Sequence, residues 1–251
     1  MSRRSVRLIG PGRAGRSLSG ALGAAGWRVE RPLRRGDDVA GAAAGVDLLV
    51  IATPDAAIAE VAAAVEPGPA VVAHLAGSLG LDALAPHERR AAVHPLVSLP
   101  NAEVGAERLR DGAWFAIAGD TLAAEVVADL AGHAFTVADA DRAAYHAAAC
   151  IASNHLVALL GQVERVAATA GVPLEAYLDL VRGTVDNVAA LGPAAALTGP
   201  AARGDWATIE RHLDALDPSE RPAYEALMQA VRRLVAHEDP PTHIGGNTSH
   251  R

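Results

Sequence analysis

Polar side chains follow two short apolar runs of this 251-residue chain, at the points where strands of a parallel sheet would end. His74 and Ser78 follow one run, and His94 and Pro95 follow the next along the chain. Because the carboxyl ends of neighbouring parallel strands meet at one edge of a sheet, we expect these groups to share a crevice. An imidazole can polarise or protonate a carbonyl, which makes His94 the candidate general acid. Ser78 is the candidate group that orients this histidine or the substrate.

A second set of polar residues interrupts a long alanine-rich segment, in which Tyr145 and His146 are followed by Cys150, Ser153 and Asn154. On a helix, a spacing of seven places His146 and Ser153 on one stripe, and a spacing of four places Asn154 near Cys150. A buried asparagine needs hydrogen-bond partners, which a substrate carboxylate or carbonyl would provide. We therefore predict that Asn154 is catalytic and that Ser153 and His146 bind the substrate. The single cysteine is expected to be a small buried thiol.

A third cluster is the loop at residues 198–205, which reads Thr-Gly-Pro-Ala-Ala-Arg-Gly-Asp. A planar guanidinium can hold a carboxylate through two parallel hydrogen bonds, so Arg203 is predicted to bind an anionic substrate together with Thr198 and Asp205. The alternative is an ordinary loop between helices, in which Asp205 caps the helix that follows.

Three glycines come after the first apolar run of the chain and before an amphipathic segment. In a strand-turn-helix unit, the first glycine allows a tight turn, the second lets a phosphate approach the bare backbone, and the third lets the helix pack on the strand. Free N–H groups of the first helical turn then bind a pyrophosphate. The spacing predicts a dinucleotide site made by Gly10, Gly12, Arg13, Ala14 and Gly15.

Residues at the end of the second predicted strand decide between two dinucleotides. A carboxylate there binds a ribose hydroxyl, whereas an arginine accommodates a 2′-phosphate. Arg34 and Arg35 stand nearest the strand end, which favours NADP. A solvated basic turn is one alternative, and a longer strand would give the place to Asp37 or Asp38 and favour NAD.

Two later turns are predicted to face the same cofactor. One contains Thr53, Pro54 and Asp55 after the third strand, where Thr53 would also cap a helix that begins at Pro54. The other contains His74, for which a structural role in the core is an open alternative.

Strand and helix patterns alternate in the first half of the chain, whereas the second half shows helix patterns only. This order predicts an α/β fold with a doubly wound, mostly parallel sheet at residues 1–138, a helical domain at 139–239 and a frayed tail at 240–251. The predicted strands are 6–9, 28–33, 48–51, 70–74, 92–94, 114–118 and 135–137. The predicted helices are 14–25, 39–44, 56–65, 121–131, 139–170, 173–191, 206–216 and 220–237.

Charge and residue types limit the partners and the chemistry of this chain. The formal net charge of −7 disfavours nucleic acid as a partner. No uninterrupted apolar run reaches the length of a membrane span, so we expect a soluble cytoplasmic protein with a small-molecule substrate. All 22 basic residues are arginines, which excludes mechanisms that need a lysine Schiff base or a lysine acid. No metal site is predicted.

Together, these motifs resemble the bacterial Rossmann-like proteins that carry a C-terminal domain of unknown function, DUF2520. The glycine turn is shared with many families, whereas the loop at 198–205 is specific to this one. The family is similar to a larger group of reductases with an N-terminal Rossmann domain and a helical dimerisation domain. This group includes ketopantoate reductases, pyrroline-5-carboxylate reductases, 3-hydroxyacid dehydrogenases and prephenate dehydrogenases. The resemblance implies a homodimer.

Residue roles are implied by the same resemblance. Ser78 and His94 look like the serine and histidine with which prephenate dehydrogenases hold and polarise the ring hydroxyl of their substrate. Asn154 looks like the helix asparagine of ketopantoate and hydroxyacid enzymes, which carry a catalytic lysine where this chain has Cys150. The resemblance thus implies an NADP-dependent oxidoreductase of a small keto acid or imino acid, with ketopantoate as the most concrete substrate. A cofactor-binding sensor or scaffold without catalysis is the alternative that the missing lysine leaves open.

Overall fold

A seven-stranded sheet is the centre of the computed structural model, which describes residues 3–237. Its strands are β1 (Ser5–Ile9), β2 (Arg28–Val29), β3 (Leu48–Ile51), β4 (Val71–His74), β5 (Arg90–Pro95), β6 (Trp114–Gly119) and β7 (His133–Thr136). They lie in the order β2-β1-β3-β4-β5-β6-β7, and every neighbouring pair is parallel except β5 with β6. The predicted α/β class with a mostly parallel sheet is confirmed.

Helices follow the early strands and form the later part of the chain. They are α1 (Arg13–Ala24), α2 (Ile58–Ala64), α3 (Ala102–Leu109), α4 (Leu122–Asp129), α5 (Arg142–Cys150), α6 (Leu156–Thr169), α7 (Glu175–Leu191), α8 (Trp206–Ala215) and α9 (Arg221–His237). A π-helical turn at Ile151–His155 separates α5 from α6. Short 3-10 turns include Asp55–Ala57, Leu81–Leu84, Asp139–Asp141 and Ala201–Arg203.

Apolar side chains cover both faces of the sheet, which explains why its central strands read as unbroken apolar runs. Every residue of β3 and β4 is buried. Neighbouring residues point to opposite faces, so Leu8 and Val50 join one apolar cluster while Ile9 and Ile51 join the other. The apolar clusters on the two faces of the sheet therefore both hold the strand ends, after which the polar residues follow.

Three elements differ from their predictions. Residues 39–44 form turns in place of the predicted helix, with Gly41 inside them and Gly45 at a positive φ directly after them. The predicted strand 28–33 is reduced to β2 and a single bridge between Leu33 and Ile9, because Pro32 has no N–H for a ladder. The sequence pattern missed α3, although Asn101 caps it by accepting the N–H of Val104.

The chain divides into two compact units, residues 1–154 and 155–251. The first contains the sheet and α1 to α5, and the second contains α6 to α9. The division lies after the predicted boundary at 138 because α5 packs on the sheet: the ring of Tyr145 lies 5.8 Å from that of Phe135 in β7. Residues 240–251, predicted as a tail, lie outside the described residues.

The helical run Asp139–Thr169 is long and apolar enough to cross a membrane by length and composition alone. None of its apolar window is buried. A single helix of this kind is weak evidence of a membrane span, because core helices of soluble proteins pass the same test of length and composition. Its charged first turn contains Asp139, Asp141 and Arg142.

Candidate functional site

The glycine turn between β1 and α1 is shaped by close backbone contacts. Gly10 has a φ of +90°, and a Cβ there would lie 2.8 Å from the carbonyl oxygen of Ala52. A Cβ on Gly15 would lie 2.5 Å from the carbonyl oxygen of Gly10, so only glycine lets α1 pack this closely. A Cβ on Gly12 would meet no atom within 4 Å. The backbone at Gly12 is therefore open to an approaching ligand.

The start of α1 offers N–H groups to an anion. The first intrahelical bond runs from the Arg16 N–H to the Gly12 carbonyl oxygen at 3.0 Å, which leaves the amides of Arg13, Ala14 and Gly15 without a helical partner. The first turn contains no acidic residue. These amides and the positive end of the helix dipole form a site of the kind that binds phosphate.

Leu33 brings a basic pair of residues next to the glycine turn. Its carbonyl oxygen accepts the N–H of Gly10 at 2.9 Å, and Arg34 and Arg35 follow directly with exposed side chains. The carboxylate of Asp37 accepts the backbone N–H of Arg34 at 2.8 Å and so stabilises the turn itself. Two exposed guanidinium groups thus follow directly after the residue that contacts the glycine turn.

The turn after β3 differs from its prediction, because Pro54 and not Thr53 is the N-cap of the short helical turn that begins at Asp55. The Oγ1 atom of Thr53 is buried and has no hydrogen-bond partner within residues 3–237. The exposed carboxylate of Asp55 accepts a hydrogen bond from Oγ of Ser78 at 3.1 Å. The hydroxyl of Ser78 is therefore directed to this turn and not to His94.

His74, at the end of β4, is fully buried and has both ring nitrogens engaged. Its Nδ1 accepts the N–H of Ala76 at 3.2 Å, and its Nε2 lies 3.3 Å from the carbonyl oxygen of Gly80. Burial lowers the pKa of this imidazole and keeps it neutral, with Nε2 as the donor. His74 therefore holds the loop at 75–80, as the structural alternative expects, and its contact with the cofactor stays a prediction.

The end of β5 places His94 against α5. Its Nδ1 lies 2.6 Å from Oη of Tyr145, and its ring centroid lies 5.7 Å from that of His146. Gly77 lies beside both imidazoles, since a Cβ there would be 2.5 Å from Nδ1 of His146 and 2.9 Å from Nε2 of His94. Glycine at this position lets two imidazoles and one phenol converge at the carboxyl edge of the sheet.

Burial determines where the protons of this cluster lie. Burial, together with the neighbouring His146, lowers the pKa of His94 to about 4, so this imidazole is uncharged at neutral pH. Burial raises the pKa of the Tyr145 phenol, so the phenol keeps its proton. The hydrogen bond between Nδ1 of His94 and Oη of Tyr145 therefore joins two uncharged groups. The Nδ1 atom of His146 is buried without a partner in the described part of the chain.

The predicted helix residues beyond this cluster lie at the π-helical turn. Ser153 and Asn154 are exposed, and Oγ of Ser153 donates to the carbonyl oxygen of Ala149 at 2.8 Å and to Oδ1 of Asn154 at 3.1 Å. Sγ of Cys150 lies 3.7 Å from Nε2 of His146. Turns of this type are frequent at functional sites, and Asn154 stays a predicted substrate contact.

The loop at 198–205 lies in the second unit. Asp205 is the N-cap of α8: its Oδ1 accepts the N–H of Thr208 at 3.1 Å, and its Oδ2 accepts the Thr208 hydroxyl at 2.7 Å. These bonds lower the pKa of Asp205. Asp205 therefore has the helix-capping role that was the alternative to substrate binding. Thr198 and Arg203 have exposed side chains and stay predicted substrate contacts.

Sequence spacing assigned no role to two residues of the first unit. Tyr145 was recognisable as a polar neighbour of His146, but its contact with β5 depends on how α5 packs. Arg142 resembles an ordinary residue at a helix start, and nothing in the pattern indicates that its side chain is only 1% exposed.

Solved structures share this fold at low sequence identity. A Bacteroides fragilis protein provisionally named an NADP oxidoreductase is 22% identical, with a TM-score of 0.76 over 92% of this chain and 98% of that one. The Thermotoga maritima protein TM1727 is 23% identical, with a TM-score of 0.71 over 93% and 99%. The Aspergillus terreus reductive aminase, in complex with NADPH4, cyclohexanone and allyl amine, is 16% identical, with a TM-score of 0.68 over 94% and 95%. These likenesses establish the class, a Rossmann-like α/β fold.

One family model matches the later part of the chain. Residues 115–231 match the family described as domain of unknown function DUF2520. This match confirms the resemblance drawn from the sequence motifs. No curated protein matches the chain in sequence.

Alanine at Gly15 and alanine at Gly12 are expected to change different properties. The G15A methyl group would press on the carbonyl oxygen of Gly10, so we expect a loss of about 1–3 kcal/mol in the free energy of unfolding, measured in urea. The G12A methyl group enters open space, so stability should change by less than about 0.5 kcal/mol while NADPH binding weakens. Wild-type NADPH affinity in G12A would contradict a phosphate site at this turn.

Proposed function

We propose that this protein is an NADP-dependent reductase of small keto acids or imino acids. The observation that carries this function is the hydrogen-bonded pair of Tyr145 and His94, held at the same sheet edge as the open glycine turn. A phenol proton next to a dinucleotide site is what the reduction of a polarised C=O or C=N bond requires. The NADP complexes among proteins of the same fold support the choice of cofactor.

Residues of the first unit would hold the cofactor. The amides at the start of α1 suit the pyrophosphate, and Arg34 and Arg35 suit a 2′-phosphate. The turn that carries Thr53 and Asp55 would face the ribose and nicotinamide end, where the orphaned Oγ1 of Thr53 lacks a partner within the described residues. The bound nicotinamide would supply the hydride.

The chain itself would supply the proton. Neutral His94, with its proton on Nδ1, would donate to Oη of Tyr145 and leave the O–H of the phenol free to point at the substrate. As the substrate C=O or C=N bond is reduced, Tyr145 would give its proton to the oxygen or nitrogen. The Nδ1 proton of His94 would then pass to the phenolate while Nε2 takes a proton from water. His94 is thus proposed to orient the acid, and the earlier assignment of His94 itself as the acid is the competing version.

Substrate binding is proposed for the remaining polar residues. Arg203 and Thr198 would bind an anionic group, and Asn154 with Ser153 would bind a carbonyl or carboxylate. Ketopantoate is the first keto acid to test, followed by cyclic imines with and without a carboxylate. NADPH oxidation across this panel of substrates tests the function. Tight NADPH binding without turnover of any substrate would favour the alternative, a cofactor-binding sensor or scaffold without catalysis.

Cofactor preference is expected to depend on the exposed basic pair. Replacing both Arg34 and Arg35 by serine should weaken NADPH binding about tenfold or more, because charged hydrogen bonds to the 2′-phosphate are lost, and should leave NADH binding unchanged. R31S is the matched control, since Arg31 is exposed nearby and reaches Asp37 at 3.9 Å. Calorimetric titration of both cofactors measures the difference. Tighter binding of NADH than NADPH by the wild type would overturn the assignment.

The proton donor can be identified by comparing two substitutions. If Tyr145 is the acid, Y145F should lower kcat by roughly a hundredfold or more, and H94N should cost less because it removes orientation only. Cofactor dissociation constants should stay at the wild-type value in both. Y177F, at a tyrosine of α7, is the control. A larger loss in H94N than in Y145F would return the acid role to His94.

We also propose a soluble, cytoplasmic homodimer. No residue of α7 is buried, and Leu180, Val185 and Leu191 are 67%, 54% and 60% exposed. An apolar surface of this kind on a 17-residue helix is typical of one that meets a second copy.

Charge on α7 is therefore expected to separate the two copies. L180E together with V185E should convert a dimer into a monomer at micromolar concentration, as measured by light scattering after size exclusion. V29E places one carboxylate on an exposed valine of the edge strand β2 and should leave the mass unchanged. A monomeric wild type would contradict the dimer.

A further inference from the structure

Arg142 is a buried cation with an incomplete set of partners. Its side chain is 1% exposed, and its Nε donates to Oδ1 of Asp139 at 2.9 Å. Its Nη1 and Nη2 atoms are buried and have no hydrogen-bond partner within the described residues. A charge that is buried with a single bond to a half-exposed carboxylate costs stability, because the water it loses is not replaced. Because this burial costs stability, we looked to the neighbours of Arg142 for a function that the cation could serve.

The position of Arg142 connects it to the proton-transfer pair. It begins α5, and Tyr145 and His146 follow at spacings of three and four, which places all three on one helix face. The carboxylate of Asp139 lies against Gly80, at the end of the loop that His74 holds. The buried guanidinium therefore lies among the groups at the ends of β4 and β5.

The charge of Arg142 reaches these neighbours. Burial is the main reason that the pKa of His74 and the pKa of His94 are lowered, and the positive charge of Arg142 lowers both further. For Tyr145 the two effects oppose each other: burial raises the phenol pKa, and Arg142 lowers it. The phenol is hydrogen-bonded to His94, and the charged or titratable groups that act on His94 are His146, Asp55, Arg142 and His74. Asp139 pairs with Arg142.

We propose that Arg142 is a positioning residue for proton transfer, whose buried and only partly paired cation stabilises the negative charge that Tyr145 develops as it gives its proton to the substrate. This rests on the proposed function, in which Tyr145 is the proton donor. In the resting protein the guanidinium has one carboxylate partner. In the transition state the developing phenolate is a second negative charge, so the interaction is stronger there than in the ground state, which is the condition for catalysis.

The proton and the charge balance in this step. The Oη–H bond of Tyr145 breaks, a new N–H or O–H bond forms on the substrate, and the phenolate remains beside the guanidinium until water returns a proton through His94. Arg142 keeps its own protons throughout, since a guanidinium does not titrate in this range.

Two substitutions with opposite expected effects test this role. R142M fills similar volume without charge and should raise the pKa of Tyr145 by about one unit. D139N keeps the cation and removes its carboxylate partner, so it should lower the same pKa. Both are made in a Y177F/Y224F background, in which Tyr145 is the only tyrosine of the three in the chain. Ultraviolet absorbance of tyrosinate during alkaline titration of the full chain then reports Tyr145 alone.

Kinetics of the same variants link the titration to turnover. R142M should lower kcat about tenfold, as one pKa unit of the acid implies, with a smaller change in KM. R142K should recover part of kcat because it restores a cation. R89Q is the control, since Arg89 pairs with Asp120 on a half-exposed surface and should change neither readout. Thermal unfolding of R142M at or above the wild-type temperature would support a role in function, because replacing a buried and only partly paired charge by an apolar side chain is not destabilising.

The outcomes separate this role from the proposed function. An unchanged Tyr145 titration in both R142M and D139N overturns the coupling, and D139N decides alone if R142M does not fold. If the pKa of Tyr145 shifts in the same direction in both variants, the proposed coupling is also overturned. An effect of charge must have opposite signs in R142M and D139N, whereas a structural disturbance need not. If the titrations shift as expected but Y145F keeps wild-type turnover, the proton-donor assignment is wrong and the role of Arg142 in turnover is overturned with it.

Discussion

The close packing of Gly15 on the carbonyl oxygen of Gly10 is the contact on which the first unit depends. It fixes α1 against the end of β1, while the positive φ of Gly10 keeps the turn clear of Ala52 at the end of β3. With these backbones in place, the open amides of α1 and the turns after β3, β4 and β5 lie along one edge. The chemistry proposed for the protein needs that alignment, since hydride and proton must reach the same bond.

Desolvation is the second physical theme of the site. The pair of His94 and Tyr145 is kept in a single protonation state by burial, which disfavours the imidazolium and the phenolate alike. A phenol made too weak an acid would not give up its proton. The partly paired guanidinium of Arg142 opposes this rise in the phenol pKa, and its own burial makes the effect stronger than an exposed arginine could provide.

Much of the fold could be predicted from the sequence because local signals and long-range packing agree there. The run at 48–51 is apolar on both faces and is β3 with the predicted bounds. The strand at 28–33 failed because residues of mixed polarity and Pro32 weaken a ladder that tertiary contacts do not complete. The histidines at the strand ends were found by position, but the roles of His74 and His94 differ through burial, which no spacing rule reports. Tyr145 and Arg142 were missed for a related reason, because their importance depends on how α5 packs on the sheet.

The antiparallel pair of β5 and β6 gives the sheet a functional polarity. Because β6 runs against β5, Gly119 pairs with Ala91 at the opposite edge from His94. That edge is closed by Arg89, which reaches Asp120 through two hydrogen bonds at 2.9 and 3.2 Å. Substitutions at the two ends of the strands can therefore have separate effects. Substitutions at the carboxyl edge would act on the proposed site, whereas those beside Arg89 would act on stability.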